Sequence, residues 1–391
     1  MSQISLSPYN KIALVLGGGA IKAGAFHLGV ALALRKHGFS FQTGLNISGS
    51  KLVQKPYEIS IYVGSSAGAF IISLMSAGYS FESILDTFLG KSSTFQKLNY
   101  KKIFHFRREH LLTQSKGLKE RLELLFRKEW KEFFCFKGLQ WNAMFSTSGI
   151  ETYLREHILP SNRFQDYLPE LYISATQLNT AKKIVFGKRQ LIPSEVECEY
   201  EIQADISHAC AASMALPFIF YPYAMAGQDQ NIYHYVDAEV KEPLSPHIAL
   251  DAGADLVIAS YIHHPLKSEL DFLIKKGLPA ILVQSFYISM EQKIRKQIQI
   301  QRDHQKAISE VLNYCKKQGI SKKDQNEIEE ILEKRLQTRL NTRIIEIHPE
   351  SLDQQVFLSR HFSLSPKKLA QVVDCGFQAA QRILAQYRLD G

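Results

Sequence analysis

Cysteine is scarce in this chain, and its spacing excludes two ways of stabilising a fold. The 391 residues contain five cysteines, which lie 63, 12, 105 and 60 positions apart, and no C-x-x-C pair occurs. An odd and widely spaced set argues against a disulfide framework and against a zinc site. The pattern instead indicates a reducing compartment, and we expect a cytoplasmic protein.

Long apolar runs are also missing. The only stretch with the length of a membrane span covers residues 12–34, and it contains Lys22 and five glycines. A lysine near the centre of a span costs about 2.5–3.5 kcal/mol on insertion scales. No basic segment precedes a long apolar run, so the sequence predicts neither a transmembrane helix nor a cleaved signal peptide, while export by another route stays open.

The composition that remains is that of a folded globular protein with a basic surface. Hydrophobic residues make up 45%, aromatic residues 11% and charged residues 22%, which excludes a disordered or collagen-like chain. The length corresponds to two or three domains, or to one large α/β domain. The formal net charge of +9 favours an acidic partner, such as anionic lipid, nucleic acid or an acidic protein.

Two units of strand, turn and helix occur in the first 80 residues. An apolar run at residues 12–16 ends at three glycines, and a helical pattern follows over residues 23–37. Residues 59–63 begin a second unit, with a tight turn at residues 64–68 and a helix of small residues after it. Repeated units of this kind predict an α/β fold with a mostly parallel sheet and helices on its faces.

A basic and aromatic segment at residues 91–159 interrupts this pattern, and we interpret it as a helical insertion that caps the domain. Further strands are predicted at residues 171–175, 183–186, 232–236, 256–261 and 343–347. Helical spacing over residues 285–340, broken at Gly319, predicts a helical hairpin. Ser365 and Pro366 are the cap and first residue of a final amphipathic helix.

The turn Gly64-x-Ser66-x-Gly68 fits a nucleophile elbow, in which a sharp turn lifts a serine hydroxyl out of the end of a sheet. Ser66 would then lie at a helix N-terminus, whose dipole and free N–H groups stabilise developing negative charge. The alternative is that these small residues only allow the strand and the helix to pack closely. Context decides between the two interpretations.

The loop of Gly17, Gly18 and Gly19 offers consecutive unhindered backbone N–H groups. Such groups suit an oxyanion hole or a phosphate cradle, and the alternative is a tight turn without a catalytic part. Neither the G-x-G-x-x-G pattern nor a Walker A motif is present, so nucleotide binding is disfavoured.

Several spaced motifs together resemble the patatin-like phospholipases. The glycine loop LGGGAIKAGAFHLGV is followed by VGSSAG, then by AASMALPFIFYP, and then by YVDAEVKEPL, in the order typical of that family. The resemblance covers residues 11–262. It implies a three-layer α/β fold and a lipid acyl hydrolase that cleaves fatty-acyl esters through a dyad of Ser66 and Asp237, without metal or cofactor.

The resemblance further implies that Gly17, Gly18 and Gly19 supply the oxyanion hole and that Gly64 and Gly68 flank the nucleophile. It divides the chain into a catalytic domain at residues 1–270 and a mostly helical C-terminal region at residues 271–391. Two features depart from the family pattern. Ala238-Glu239 follows Asp237 where the family has Gly-Gly or Gly-Ala, and the basic residue of the first motif is shifted.

Two other functions stay open at this point. A catalytically silent module that binds lipid or a partner would retain the fold with a decayed site around Asp237. An α/β-hydrolase esterase would instead use a serine, aspartate and histidine triad, with its histidine among the later ones, namely His263, His264, His348 and His361. Nucleic-acid binding has no motif to support it, and none is expected.

A phospholipase must draw its substrate from a bilayer, and the net positive charge of residues 91–159 suits an anionic membrane surface. We expect peripheral association through basic residues of this segment, the candidates being Lys101, Lys102, Arg107 and Arg108. The alternative is a purely structural cap. The lipid headgroup, the acyl position, the balance between hydrolysis and acyl transfer and the need for a protein activator are left open.

Overall fold

The computed structural model describes residues 4–6, 9–46, 55–91, 105–106, 145–194, 197–217, 219–227, 229–267, 271–350 and 363–390. Most of the predicted insertion falls outside these ranges. The four candidate membrane-contact residues and His361 also lie outside them. The structure therefore leaves these predictions as they stand.

Strands are spread over the whole described chain. They are β1 (Ile4–Leu6), β2 (Ile12–Leu16), β3 (Ser40–Phe41), β4 (Glu58–Ser65), β5 (His105–Phe106), β6 (Phe145–Ser146), β7 (Glu170–Gln177), β8 (Lys183–Gly187), β9 (Cys198–Glu201), β10 (Tyr223–Ala226), β11 (Ile232–Asp237), β12 (Leu256–Ser260), β13 (Arg343–Ile347) and β14 (Tyr387–Leu389). Ten of them form one sheet, whose main path runs in the order β10, β11, β7, β4, β2, β12, β13. The five strands from β7 to β13 along this path are mutually parallel.

Helices cover both faces of this sheet. The described helices are α1 (Ala20–His37), α2 (Ala67–Ser76), α3 (Phe81–Leu89), α4 (Ser148–His157), α5 (Ile206–Ser213), α6 (Pro246–Asp251), α7 (Phe272–Lys276), α8 (Leu278–Lys317), α9 (Lys322–Leu336) and α10 (Pro366–Leu384). One apolar core lies between the sheet and α1, α2, α5 and α10, and a second lies between the sheet and α6 and α8. The predicted α/β class, with a mostly parallel sheet between helical layers, is confirmed.

The predicted C-terminal hairpin corresponds to α8 and α9. Ser321 caps α9 by accepting a hydrogen bond from the Asp324 amide, and His304 Nδ1 in α8 lies 3.0 Å from the Leu336 carbonyl oxygen at the end of α9. The two helices are therefore antiparallel. The strand β13, which follows them, pairs with β12 in the central sheet. The proposed division of the chain at residue 270 remains a prediction.

No helix in the described part of the chain is both long and apolar enough to cross a bilayer.

The register of the parallel strands brings two predicted motifs to one edge of the sheet. Leu16 at the end of β2 pairs with Gly64 in β4 and with Ser260 in β12. Because the carboxyl ends of parallel strands meet at the same edge, the glycine loop after β2 lies beside the turn after β4. The sheet order therefore places both motifs next to each other.

Helices α1 and α10 approach each other at two glycines. A side chain at Gly29 would collide with the Val373 carbonyl oxygen and lie 2.8 Å from the Phe377 amide nitrogen. A side chain at Gly376 would collide with the backbone of Phe26 in the same way. This backbone contact joins the C-terminal helix to the first helix.

We predict that Gly29→Ala destabilises the protein by about 1–3 kcal/mol, because the added methyl group meets backbone that cannot rotate away. Gly24→Ala in the same helix is the matched control, since its methyl group would lie 3.4 Å from the Ile71 Cδ1 atom, an ordinary contact. The control should gain up to about 1 kcal/mol from helix propensity. Urea unfolding of both variants measures the difference, and equal stabilities would contradict the close approach.

Candidate active site

Ser66 lies on a strained turn between β4 and α2. Its backbone has φ 51° and ψ −119°, a region that non-glycine residues rarely adopt and that costs on the order of 1–3 kcal/mol. The Ser66 amide donates a hydrogen bond of 2.7 Å to the Ser213 hydroxyl, and both residues are buried. This bond stabilises the strained turn at Ser66.

The glycines that flank Ser66 allow the turn to pack tightly. A side chain at Gly64 would lie 2.6 Å from the Ala69 amide nitrogen, and one at Gly68 would lie 2.7 Å from the Leu16 carbonyl carbon. Helix α2 could not approach β2 and β4 this closely with larger residues at these positions. The elbow pattern in the sequence thus has a direct packing cause.

Asp237 reaches the same region from the last position of β11. It pairs with Ala175 in β7, next to Ser174, which pairs with Ser65. Its amide donates a hydrogen bond of 3.0 Å to the Ala215 carbonyl oxygen. The sheet register therefore places Asp237 level with the serine turn.

The Asp237 carboxyl group is almost completely buried, with 1% of its surface exposed. Burial raises its pKa to about 7, while hydrogen bonding from the Ser66 hydroxyl and from the Glu239 amide opposes the increase. Asp237 Oδ1 accepts the Glu239 amide at 3.0 Å. Oδ2 has no hydrogen-bond partner within the described residues. This oxygen is thus available to take a proton.

The glycine loop is fixed by a buried histidine. His27 Nε2 lies 2.8 Å from the Gly17 carbonyl oxygen, and its Nδ1 lies 2.8 Å from the Ser260 hydroxyl. Burial lowers the pKa of His27 to about 4, so the ring is neutral near pH 7. Because a carbonyl only accepts, Nε2 carries the proton and Nδ1 accepts from Ser260. His27 therefore joins the loop to the end of β12.

The three loop amides are not equivalent. The Gly17 amide donates a hydrogen bond of 2.9 Å to the Ser260 carbonyl oxygen and continues the pairing of β2 with β12. The Gly18 amide instead lies beside the Glu239 carboxyl group and opposes the rise of its pKa. Gly19 has a φ of 120°, which turns the chain into α1. Of the three predicted oxyanion-hole glycines, Gly18 and Gly19 are thus the ones whose amides the strand pairing does not use.

Glu239 is the second buried carboxyl group of the site. It lies in the short 3₁₀ turn Ala238–Val240 that follows Asp237. Burial raises its pKa well above the ordinary value, and the nearby charge of Asp237 raises it further. Two carboxyl groups in one buried site do not both ionise readily. The pair therefore keeps at least one of its two protons near neutral pH.

A chain of aromatic and basic groups continues from Glu239. His263 Nε2 lies 3.3 Å from Glu239 Oε1, and the His263 ring meets the Tyr287 ring edge at 5.2 Å between centroids. Lys22 Nζ donates a hydrogen bond of 2.8 Å to the Tyr287 hydroxyl, and burial lowers the pKa of Lys22 to about 7. The shifted basic residue of the first motif thus contacts α8.

Two other late histidines, His264 and His348, have different partners. His264 Nδ1 is 2.9 Å from Glu291 Oε1, and its ring stacks on His348 with 4.6 Å between centroids. No group of three or more His, Cys, Asp or Glu side chains in the described residues is arranged to hold a metal ion.

Sequence reasoning missed roles for Ser213, His27 and Glu239. Each belongs to a stretch that was recognised as a motif, but its partner lies on another element. A serine in the Ala-Ser stretch and a histidine ten residues after the first loop glycine were the available signals. Their hydrogen-bond partners follow only from the tertiary structure.

These features define a class of protein: a three-layer α/β fold with a serine on an elbow between a strand and a helix. The family model of the patatin-like phospholipases matches residues 14–250, which is more than half of the chain. The chain therefore belongs to the patatin-like phospholipase family. No curated protein sequence matches it.

One solved structure that is similar to the chain is the crystal structure of VipD from Legionella pneumophila. The two chains are 13% identical, and the match covers 97% of this chain and 67% of VipD, with a TM-score of 0.37. The family membership of this chain rests on the family model.

We predict that Asp237→Asn stabilises the folded protein at alkaline pH. The folded-state pKa of about 7 exceeds the ordinary value of 3.8, so the wild type loses stability as the pH rises through this interval. The asparagine side chain does not titrate, so the variant does not lose this stability. The difference in the free energy of unfolding between the variant and the wild type should therefore grow by roughly 2–4 kcal/mol between pH 4 and pH 8.

Urea unfolding at several pH values measures this advantage. Asp229→Asn is the control, because Asp229 is exposed and the Tyr233 hydroxyl lowers its pKa. The control should show no gain with rising pH. A constant difference between Asp237→Asn and the wild type would contradict the raised pKa of Asp237.

Proposed function

We propose that this protein is a serine lipid acyl hydrolase of the phospholipase A or lysophospholipase type. The observation that carries the proposal is Ser66 on a strained elbow with its hydroxyl beside the buried Asp237 carboxyl group. Strain at a single serine next to an unsatisfied carboxyl oxygen is typical of a nucleophile and its base. Membership in the patatin-like phospholipase family supports an acyl-lipid substrate.

In the first step, Asp237 Oδ2 takes the proton of the Ser66 hydroxyl. Ser66 Oγ then bonds to the carbonyl carbon of a fatty-acyl ester, and the carbonyl oxygen gains a negative charge. Collapse of this intermediate breaks the bond to the alcohol oxygen, which leaves with the proton held by Asp237. A fatty-acyl ester of Ser66 remains.

In the second step, a water molecule attacks the acyl-enzyme. Asp237 again takes the proton, and Ser66 Oγ regains it when the fatty acid leaves. The amides of Gly18 and Gly19 are the proposed donors to the oxyanion in both steps, and the N-terminus of α2 adds a favourable dipole. Gly17 contributes through the position of the loop.

Catalysis in this scheme needs an ionised Asp237. Its pKa of about 7 places the change between the inactive acid and the active base close to neutral pH. A base with this pKa also takes a proton more readily than an ordinary carboxylate, which suits a hydroxyl nucleophile. Burial of Asp237 thus reduces stability and increases basicity together.

We predict that a fluorophosphonate probe labels Ser66 covalently and that Ser66→Ala abolishes both the labelling and the hydrolysis of a short-chain nitrophenyl ester. Asp237→Asn should lower the labelling rate at least 100-fold, because the asparagine side chain cannot take the hydroxyl proton. Mass spectrometry of the labelled peptide identifies the site.

Ser76→Ala is the matched control, since Ser76 is a buried serine of α2 whose hydroxyl has no hydrogen-bond partner in the described residues. It should label at the wild-type rate. Labelling that persists in Ser66→Ala would refute the proposed nucleophile. Near wild-type turnover of Asp237→Asn, together with inactivity of His263→Ala, would favour the histidine triad.

A second candidate is a catalytically silent module of the same family that binds lipid or a partner. The observation that favours it is the Glu239 carboxyl group beside Gly18, where an acyl hydrolase needs free amide donors. A folded wild-type protein that no fluorophosphonate labels, at any pH from 6 to 9, would support this candidate.

We propose an anionic membrane as the surface from which the substrate is drawn. The net charge of +9 supports this choice. The basic residues of the predicted insertion remain the sequence-based candidates for contact, namely Lys101, Lys102, Arg107 and Arg108. Lipid mass spectrometry of vesicles before and after incubation with the protein identifies the headgroup and the acyl position.

A further inference from the structure

Glu239 occupies a position where its side chain meets the proposed oxyanion loop. Only 3% of its surface is exposed, although it belongs to a turn whose next residue, Val240, is 45% exposed. Its carboxyl group is directed inward, between Gly18 and His263. A buried carboxyl group in such a place requires an explanation, because burial of an acid is costly.

The Glu239 side chain fills the space next to the Gly18 Cα atom. A side chain at Gly18 would collide with Glu239 Oε1, would lie 2.6 Å from its Cδ atom, and would lie 2.7 Å from the Ser66 Cβ atom. The Glu239 carboxyl group and the Ser66 side chain therefore border the same small space next to one glycine. The Glu239 Oε1 atom has no hydrogen-bond partner within the described residues, so it borders this space without a fixed donor.

We propose that the Glu239 carboxyl group occupies the oxyanion hole of this protein and that an acyl substrate must displace it. This inference rests on the proposed function, since it assigns an occupant to the proposed site. A carboxyl group beside an oxyanion-hole glycine and the nucleophile has the chemistry of the fatty-acid product. Glu239 is thus an internal substitute for the product.

The surroundings of Glu239 explain how it can be held and released. Gly18 and His263 approach the carboxyl group from two directions, and the charge of Asp237 opposes its ionisation. An ionised Glu239 would also repel the negative charge that develops on the substrate oxygen. Displacement therefore precedes efficient catalysis, and removal of the side chain should make it unnecessary.

The test is the second-order rate constant for labelling of Ser66 by a fluorophosphonate. We predict that Glu239→Ala and Glu239→Gly label at least tenfold faster than the wild type, because the phosphonyl oxygen meets an empty hole. Glu239→Gln keeps the shape of the side chain and still fills the space beside Gly18, so its rate should stay within about threefold of the wild-type rate. Val240→Ala is the matched control in the same turn and should not change the rate.

Circular dichroism and thermal unfolding of each variant establish that it is folded, and the alanine variant decides the matter if the glycine variant does not fold. A rate for Glu239→Ala at or below that of the wild type would overturn the inference, while labelling confined to Ser66 would still support the proposed function. Absence of labelling in the wild type and in all Glu239 variants would refute the proposed function itself.

A different observation supports a second inference, which concerns the N-terminal half of α8. Tyr287, Met290 and Ile294 of this helix are buried against the protein. Large apolar side chains on its other side are exposed, namely Ile281, Leu282, Phe286 and Ile288, and Ile274 of α7 adds to them. Leu282 is 60% exposed and Ile274 is 69% exposed, which are high values for apolar side chains of this size. We call this set the α8 apolar face.

The α8 apolar face adjoins the candidate active site. The ring of Phe286 contacts the ring of His263, which lies beside Glu239. Tyr287, the next residue, accepts the hydrogen bond from Lys22. An occupant of the α8 apolar face would therefore lie next to the residues that surround the site.

Basic residues flank the apolar ones in the sequence of the same two helices. Residues 271–299 contain Lys275, Lys276, Lys293, Arg295 and Lys296 against two acidic residues, Asp271 and Glu291. Apolar side chains next to lysines suit the boundary between acyl chains and anionic headgroups. The geometry points to the surface of an anionic bilayer as the occupant of the α8 apolar face, in support of the proposed action on membrane lipids.

Vesicle co-sedimentation tests this assignment with vesicles of phosphatidylcholine that contain either 30% or no phosphatidylserine. We predict that the double variant Leu282→Ser, Ile288→Ser binds the anionic vesicles at least tenfold more weakly than the wild type. The double variant Lys275→Gln, Lys296→Gln should lose most of the dependence on phosphatidylserine and on salt. Val311→Ser, Tyr314→Ser on the distant part of α8 is the control and should bind normally.

The rate of Ser66 labelling by the soluble probe should be unchanged in the apolar double variant, which separates binding from chemistry. Equal binding of the wild type and of that variant would overturn the assignment. A second result would also overturn the assignment to a bilayer. If the wild type does not bind vesicles but self-associates with rising concentration, and the apolar double variant does not, the occupant is a second copy of the chain.

Discussion

The alignment of three parallel strands is the constraint on which the rest of the structure depends. Leu16 pairs with both Gly64 and Ser260, so β2, β4 and β12 reach the same edge of the sheet together. This alignment places the glycine loop beside the serine turn. Asp237 joins them because β11 pairs with β7 at Ala175. A shift of one register position would separate these groups by more than hydrogen-bonding distance.

Burial of ionisable groups is the energetic cost of this arrangement. Asp237 and Glu239 lie together in a region of low dielectric, and each disfavours the charge of the other. Lys22 is buried nearby, and burial makes loss of its proton easier. The site is therefore less stable than an apolar core of the same size would be. Burial also brings the pKa values of Asp237 and Lys22 close to 7, so these groups can exchange protons at neutral pH.

Helix α8 connects the site to the surface of the protein. Its buried side supplies Tyr287, which contacts Lys22 and His263, and its other side carries the exposed Leu282 and Ile288. A single helix thus contacts both the inner network and the solvent. In a family of phospholipases, a link between a surface and a buried site suits a substrate that resides in a membrane. Glu239 and the N-terminal half of α8 therefore belong to neighbouring parts of one region.

The sequence by itself determined the elements whose signals are local. The strand at Arg343–Ile347 and the helix that begins at Pro366 follow from short-range apolar periodicity and capping residues. The elbow at Ser66 was predictable for the same reason, since its glycines lie two positions away. The pairing of β1 with β14 was not, because the partners are more than 380 residues apart and both strands have only three residues.

Only the tertiary structure decided the contacts of the site. Ser213, His27 and Glu239 were visible in the sequence as residues of recognised motifs, but each acts on a group of another element. The sequence also showed that Glu239 stands where the family pattern has a small residue. It did not show in which direction the Glu239 side chain is turned. A side chain's direction depends on the packing of its turn against the sheet, and that packing involves residues far apart in the chain. Local sequence therefore determined the motifs that carry these residues, and the fold determined which of them meet at Ser66 and what they touch.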